Sequence, residues 1–150
     1  MNKIQIGKQE VIHFIGIGGI GMSGLAQIMK TMGFNVQGSD ISVNKNIDNC
    51  QKLGIKILKG HSKKNILNAN IIVKSSAIKK NNIELVSAKK RKIPLYERVE
   101  MLANIIDLKK NIIVTGSHGK TTTTSLVAKI ISTAKLDPTI INGGVINSLK

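Results

Sequence analysis

Residues 11–21, VIHFIGIGGIG, decide the fold of this chain. The first five of them, Val11–Ile15, form a short apolar run that stops at glycine, as a buried parallel strand does. The next six, 16–21, match the pattern GxGxxG. Residues 24–32 then carry apolar side chains at helical spacing, and Gly33 is placed to end that helix. The stretch therefore predicts a strand, a glycine-rich loop and a helix in succession.

Strand-like and helix-like segments alternate along the rest of the chain. Strands are predicted at 35–38, 55–58, 71–73, 93–96, 111–115 and 138–141, and helices at 44–53, 83–90, 98–107 and 120–134. This alternation predicts an α/β fold with a Rossmann-like parallel sheet and helices on both of its faces.

A polar interruption at 107–110, DLKK, predicts a domain boundary. On this interpretation residues 1–107 form a complete α/β domain, and residues 108–150 hold the first βαβ unit of a second domain. Because two strands and one helix cannot close a core, we expect the chain to be truncated.

The positive charge of the chain does not by itself indicate nucleic-acid binding. Lysine and arginine number 23 against 8 acidic residues, which gives a net charge of +15, and all but two of the 23 are lysine. Lysine, isoleucine and asparagine all have A/T-rich codons, so a biased genome accounts for the excess. Three aromatic residues are too few for a platform on which bases stack. We therefore expect no nucleic-acid partner.

Cysteine content and hydropathy indicate a cytoplasmic protein. Cys50 has no second cysteine to pair with, which fits a reducing compartment, and its place on a predicted helix favours a buried, inert thiol. No apolar run approaches the ~18 residues that a membrane-spanning helix needs, and the N-terminus lacks the features of a signal peptide. We expect no membrane partner.

The glycine-rich loop has the chemistry of a diphosphate site. Glycine allows a sharp turn and a close approach of the backbone, and the following helix offers unpaired N–H groups to an anion. Asp40 lies 19 residues after Gly21, at the end of the second strand, where it is placed to accept a hydrogen bond from a ribose hydroxyl. An NAD-dependent dehydrogenase and glycines that serve packing alone remain alternatives.

A second phosphate loop, TGSHGKTT, covers residues 115–122. Gly-Lys-Thr at the start of a helix suits ATP, with Lys120 on the β/γ oxygens and the Thr121 hydroxyl on Mg²⁺. The loop is a shortened variant, because Val114 stands where the general pattern has glycine. Two phosphate loops favour an enzyme that uses ATP on a nucleotide-linked substrate and count against a dehydrogenase. A non-catalytic nucleotide-binding module stays open.

Five segments together resemble the N-terminal part of the Mur ligases, the ATP-dependent amino-acid ligases of peptidoglycan synthesis. They are HFIGIGGIGMSGLA (13–26), GSD (38–40), SSAI (75–78), RVEML (98–102) and GSHGKTTTT (116–124). Within the family, the pattern is most similar to the branch that joins L-alanine to UDP-N-acetylmuramate. The branch that recycles murein tripeptide is the alternative.

The resemblance implies a reaction and three domains. The first domain would bind the UDP-sugar, the central domain would bind ATP, and a C-terminal domain would follow. ATP with Mg²⁺ would phosphorylate the lactoyl carboxylate of UDP-N-acetylmuramate, and the amine of L-alanine would attack the acyl phosphate. The family's downstream metal-binding residues and its C-terminal domain have no counterpart here. We therefore expect the isolated chain to be inactive.

The resemblance also implies which residues bind each substrate. The UDP-sugar would lie against Gly16, Gly18, Gly19, Gly21, Met22, Ser23, Asp40, Ser75, Ser76 and Ala77. ATP would lie against Gly116, Ser117, His118, Gly119, Lys120, Thr121 and Thr122. The catalytic residues would be His118, Lys120 and Thr121, and Thr121 would hold the metal.

Several further residues have open roles. His118 either touches a phosphate or only shapes the loop. His61 is interpreted as a solvated loop residue rather than a ligand to the UDP-sugar, and His13 as structural. Arg98 and Glu100 are either a charge pair at a helix start or groups that contact substrate.

Overall fold

Five short strands form one parallel sheet. They are β1 (Val11–Ile15), β2 (Asn35–Asp40), β3 (Lys56–Lys59), β4 (Ile71–Lys74) and β5 (Leu95–Glu97), in the order β3-β2-β1-β4-β5. The computed structural model describes residues 6–142 and 145–148, with side chains as far as residue 142. The chain leaves β1 toward β2 on one side and later returns to β4 on the other. This reversal opens a crevice beyond the carboxyl end of β1, and the predicted Rossmann-like sheet is confirmed.

Four helices cover the sheet: α1 (Ile20–Thr31), α2 (Lys45–Lys52), α3 (Ile83–Lys90) and α4 (Arg98–Asp107). The Asn44 side chain accepts hydrogen bonds from the first turn of α2, and the Asn82 side chain does the same for α3. Gly33 follows α1 with φ of +87°, the left-handed conformation that glycine adopts without strain. The helices α2, α3 and α4 lie within one residue of their predicted bounds, whereas α1 begins at Ile20, four residues before its predicted start.

Two apolar clusters lie on opposite faces of the sheet. Because successive side chains of a strand point to opposite faces of the sheet, Ile12 and Phe14 of β1 lie in one cluster and Ile15 lies in the other. The larger cluster packs α1, α2 and α4 against the sheet, and the smaller one packs α3 and the 3₁₀ turn Lys63–Ile66. His13 points to the same side as Ile15 and is fully buried, so it needs polar partners there.

Gly38 allows the glycine-rich loop to fold back over β2. A Cβ atom at this position would lie 2.6 Å from Cδ1 of Ile17 and 2.9 Å from the carbonyl oxygen of Phe14. Ile17 itself is fully buried. The close approach of loop and strand therefore requires glycine at residue 38.

The predicted strand at 111–115 is wrong. These residues have no regular structure, and Ile112 and Ile113 are 66% and 77% exposed. A strand exists only when it is paired, and within residues 6–142 and 145–148 no strand hydrogen-bonds to this segment. The apolar pattern is that of a strand, but none of the described strands pairs with it.

The second predicted unit also differs from a parallel βαβ unit. Helix α5 (Lys120–Thr133) leads to β6 (Thr139–Asn142), which pairs with β7 (Val145–Ser148) in an antiparallel hairpin. Parts of the predicted domains, at residues 1–5, 143–144 and 149–150, lie outside the described residues. Across the described chain, no helix combines the length and the apolar character needed to span a membrane.

Candidate functional site

The glycine-rich loop after β1 is held in shape by its own neighbours. The Gly16 and Ile17 N–H groups both donate to the carbonyl oxygen of Ser39, at 2.9 and 3.1 Å, and the Gly19 N–H donates to the Gly16 carbonyl oxygen. Gly16 has φ of +81°, and a Cβ atom there would lie 3.3 Å from Cβ of Ser75. Glycine at this position therefore serves both the turn and the close contact with the neighbouring strand end.

Asp40 braces this loop. Its Oδ2 accepts a hydrogen bond of 2.7 Å from the Gly18 N–H, and its Oδ1 accepts bonds from the backbone and hydroxyl of Ser42. Burial by itself would raise the pKa of Asp40, but the hydrogen bonds from Ser42, Gly18 and the Ile41 backbone outweigh it and lower the pKa. The carboxylate predicted for a ribose hydroxyl is thus already engaged within the protein.

Three N–H groups at the start of α1 stay available to an anion. In an α-helix the first backbone donors have no intrahelical partner, and after the cap residue Gly19 these belong to residues 20–22. The next N–H, of Ser23, already donates to the Gly19 carbonyl oxygen. The side chains of Met22 and Ser23 are 2% exposed, so these two predicted site residues do not present side chains to a ligand.

Arg98 lies against the same helix start. A Cβ atom at Gly21 would lie 3.0 Å from an Nη atom of Arg98, so the guanidinium packs directly against this glycine and would have to shift slightly if a side chain stood there. Glu100 is not its partner, because Glu100 accepts from the Glu97 N–H in a capping box and Glu97 pairs with Lys74. Within residues 6–142, the Arg98 side chain has no hydrogen-bond or ion-pair partner. Of the two open roles, the structure excludes the charge pair with Glu100.

The predicted segment 75–77 borders the loop. The Ser75 N–H donates to the Ile15 carbonyl oxygen at 3.2 Å, which places the end of β4 beside the end of β1. Ser76 and Ala77 are exposed. The structure therefore brings this segment, the glycine-rich loop and Asp40 to one edge of the sheet.

A buried polar cluster beside the loop was not predicted. The Glu84 carboxylate is fully buried, and its partners are the Ser39 hydroxyl at 2.6 Å, the Asn65 amide at 2.6 Å and Nδ1 of His61 at 3.0 Å. Burial opposes its charge, but the nearby His13 ring, whose Nε2 lies 3.6 Å away, and the hydrogen bonds from Ser39 and Asn65 outweigh it and lower its pKa to about 2. The sequence signal was His13, a polar residue inside an apolar strand.

The second predicted phosphate loop is open to solvent. Residues 115–123 are exposed, and Gly119 begins α5 in the left-handed conformation with φ of +75°. The Lys120 ammonium donates to the Gly116 and Ser117 carbonyl oxygens, at 2.5 and 3.2 Å. The Lys120 side chain therefore folds back over its own loop.

The residues of this loop fit a phosphate with its metal ion in part. Thr121 lies in the first turn of α5 with an exposed side chain, and hydroxyl and phosphate oxygens are the ligands that Mg²⁺ prefers. Across the described residues, no group of three His, Cys, Asp or Glu side chains could hold a metal ion. A metal ion bound at this loop would have the Thr121 hydroxyl as a candidate ligand, together with phosphate and water oxygens.

Fold and loop together define the class: a parallel α/β protein with a glycine-rich loop at the point where the strand order reverses. Residues 11–110 match the model of the Mur ligase family, catalytic domain. The chain belongs to the Mur ligase family.

Curated relatives share most of the chain. It is 67% identical over 148 residues to UDP-N-acetylmuramate--L-alanine ligase of Pelagibacter ubique, covering 99% of this chain and 32% of that protein. The ligase of the same name from Rickettsia bellii is 55% identical, covering 93% of this chain and 29% of that protein. The chain thus spans about a third of the length of these relatives.

Solved structures with the same fold include two ligases. The UDP-N-acetylmuramate-alanine ligase of Thermotoga maritima is 36% identical with a TM-score of 0.77, covering 88% of this chain and 31% of that one. The UDP-N-acetylmuramate:L-alanyl-gamma-D-glutamyl-meso-diaminopimelate ligase of Neisseria meningitides is 29% identical with a TM-score of 0.78, covering 93% and 46%.

Proposed function

We propose that this chain supplies the UDP-sugar site, and the start of the ATP site, of a ligase that joins L-alanine to UDP-N-acetylmuramate in peptidoglycan precursor synthesis. Residues 1–107 would be the UDP-sugar-binding domain, and residues 108–150 the start of the ATP-binding domain. The relatives named as alanine ligases, at 67% and 55% identity, support this choice of substrates.

The observation that carries the proposal is the anion site at the start of α1. Three N–H groups of residues 20–22 and the Arg98 guanidinium converge there, and the positive end of the helix dipole adds to them. A diphosphate carries the negative charge and the several acceptor oxygens that such a site satisfies. Segment 75–77, at the same edge, would lie near the nucleoside.

ATP would bind at the second loop, from Gly116 to Thr122. The Lys120 ammonium would exchange its two carbonyl partners for the β/γ oxygens, and Thr121 would hold Mg²⁺, which neutralises charge on the transferred phosphoryl group. Ser117, His118 and Gly119 would contribute backbone N–H groups, and the exposed His118 ring is free to approach a phosphate oxygen.

The reaction proposed for the whole ligase has two steps. The lactoyl carboxylate of UDP-N-acetylmuramate takes the γ-phosphoryl group and ADP leaves. The amine of L-alanine then attacks the acyl carbon and phosphate leaves. Because the chain spans about a third of its relatives, we expect it to bind substrates without completing this reaction.

Titration calorimetry on the 150-residue chain tests the proposal. We expect UDP and UDP-N-acetylmuramate to bind, and Arg98→Ala to weaken both roughly tenfold, as loss of a charge-assisted hydrogen bond does. Arg91→Ala is the matched control, because Arg91 donates to the Ile66 and Leu67 carbonyl oxygens instead. Lys120→Ala should weaken binding of ATP and leave binding of UDP unchanged.

The alternatives give different results in the same experiment. Saturable binding of NADH in place of UDP would favour a dehydrogenase. Equal affinity for UDP in wild type and Arg98→Ala would contradict the anion site. The tripeptide ligase is the second candidate, because the chain shares the fold of the Neisseria ligase, although the two are only 29% identical. A full-length ligase containing this chain that prefers a tripeptide to L-alanine would favour this alternative.

A further inference from the structure

Glu84 gathers hydrogen-bond donors from four parts of the fold. Besides the Ser39 hydroxyl, the Asn65 amide and the His61 ring, its carboxylate accepts from the Ser62 N–H at 3.3 Å, and Nε2 of His13 lies 3.6 Å away. The donors come from β1, β2, the segment after β3 and the 3₁₀ turn. A buried carboxylate surrounded by donors fixes the orientation of each of them.

The direction of these hydrogen bonds fixes the tautomer of His13. The Gln37 amide nitrogen lies 3.1 Å from Nδ1 of His13 and donates to the Asn65 carbonyl oxygen as well, so Nδ1 of His13 is an acceptor. Nε2 of His13 therefore carries the proton and faces the Ser39 hydroxyl at 3.3 Å. That hydroxyl in turn donates to Glu84.

The same reasoning fixes the opposite tautomer for His61. Its Nδ1 faces an ionised carboxylate at 3.0 Å, and a carboxylate only accepts, so Nδ1 carries the proton. When the ring is neutral, Nε2 is then an acceptor. Within the described residues, Nε2 has no partner, and no buried side-chain nitrogen or oxygen lacks one. Nε2 is therefore accessible to solvent, on a side chain that is 17% exposed.

His61 stands at the edge of the proposed UDP-sugar site. The Gly60 N–H donates to the Asp40 carbonyl oxygen at 2.7 Å. The residue before His61 is therefore bound to Asp40, whose side chain holds the glycine-rich loop. Ser39, which contacts the His61 ring, also holds the loop through its carbonyl oxygen. Because Nδ1 of His61 is bound to Glu84, Nε2 is the ring nitrogen left to accept a hydrogen bond at this edge.

We infer that Glu84 is a positioning residue that holds His61 as the Nδ1–H tautomer, so that Nε2 accepts a hydrogen bond from a ribose hydroxyl of the UDP-linked substrate. This inference rests on the proposed function. It assigns to His61 the role that the sequence had suggested for Asp40.

Calorimetry with UDP and 2′,3′-dideoxy-UDP tests the ligand contact. The wild-type chain should bind UDP roughly 3- to 10-fold more tightly than the dideoxy analogue, which is the range of one hydrogen bond to a neutral group. In His61→Phe the two affinities should become equal. A wild-type ratio near one, or a ratio that survives in His61→Phe, would overturn the inference.

Nitrogen NMR of the His61 ring at about pH 8 tests the positioning. We expect the Nδ1–H tautomer in the wild type and a mixture of tautomers in Glu84→Gln, together with a smaller UDP to dideoxy-UDP ratio. A loss of stability in a chain that stays folded would move neither readout. Glu10→Gln is the matched control, because Glu10 has the Gly7 N–H as its partner and lies outside the cluster.

Failure of the inference is distinguishable from failure of the proposed function. A wild-type chain that binds neither nucleotide overturns the proposed function and the ligand contact with it. A chain that binds both equally overturns the contact alone. An Nε2–H tautomer in the wild type overturns the positioning role, and this measurement needs no variant, so it stands even if Glu84→Gln fails to fold.

Discussion

Replacement of Glu84 by glutamine should remove a large, pH-dependent part of the stability. The pKa of Glu84 falls from 4.5 to about 2 in the folded chain. At about 1.4 kcal/mol per pH unit, this difference corresponds to roughly 3 kcal/mol of folding free energy. The amide would also direct an N–H₂ group at the Ser39, His61 and Asn65 donors. We therefore expect Glu84→Gln to be about 3 kcal/mol less stable than the wild type at pH 7.

The sign of the pH dependence follows from the direction of the pKa shift. A carboxyl whose pKa is lowered on folding contributes its full stability above the unfolded value, here 4.5, and loses it as pH falls toward about 2. Between these values, the stability gap between wild type and Glu84→Gln should narrow by about 1.4 kcal/mol per pH unit. The lowered pKa of Asp40 affects both proteins equally and cancels in the difference.

Urea unfolding followed by circular dichroism measures this gap, since the chain has no tryptophan and one tyrosine. Titrations at pH 7, 5, 4 and 3 would give the free energy of unfolding of both proteins. Glu10→Gln removes the same charge from a partly exposed position and should stay within about 0.5 kcal/mol of the wild type. A gap below about 1 kcal/mol at pH 7, or a gap that does not change between pH 7 and pH 3, would refute the reasoning.

Three other substitutions or probes test the packing and the anion site. Gly38→Ala should lower the free energy of unfolding in urea by about 1–3 kcal/mol, because the new Cβ would clash with Ile17 and the Phe14 carbonyl oxygen. A variant as stable as the wild type would show that the loop can move away without loss of stability. Arg98→Ala should flatten the salt dependence of UDP binding while changing the free energy of unfolding by less than about 0.5 kcal/mol, and parallel salt curves would count against it. The thiol of Cys50, whose pKa is raised to about 11 by burial, should react with a disulfide reagent on unfolding, and rapid reaction of the native chain would contradict this.

The sheet of the first 107 residues could be predicted because its signals are local. Strands β1 and β4 are apolar runs, since both faces of a parallel sheet are buried, and Gly33 and the Asn caps mark helix ends. The segment 111–115 carries the same kind of signal, yet it forms no strand. Pairing depends on a partner elsewhere in the chain, and a segment's own residues do not specify whether that partner is present.

The candidate site could be located from the sequence but not interpreted residue by residue. The spacing of the glycines and Asp40 identified the edge of the sheet. The use of Asp40 as a brace depends on Gly18, 22 residues away, and the cluster around Glu84 joins it to Ser39 across 45 residues. Such contacts arise only when the sheet is assembled, and nothing in the local pattern around Glu84 marks it as a buried carboxylate.

The glycine-rich loop separates residues that shape the site from residues that bind. The N–H groups of residues 16–19 are all used within the protein, by Ser39, Asp40 and the Gly16 carbonyl oxygen. The N–H groups of residues 20–22 have no such partners, so a diphosphate would meet the backbone after the glycine cluster rather than within it. Gly16 and Gly18 are then required for the shape of the loop. Gly21 has a different role: its missing side chain lets the Arg98 guanidinium pack closely against the helix start at which we propose that the anion binds.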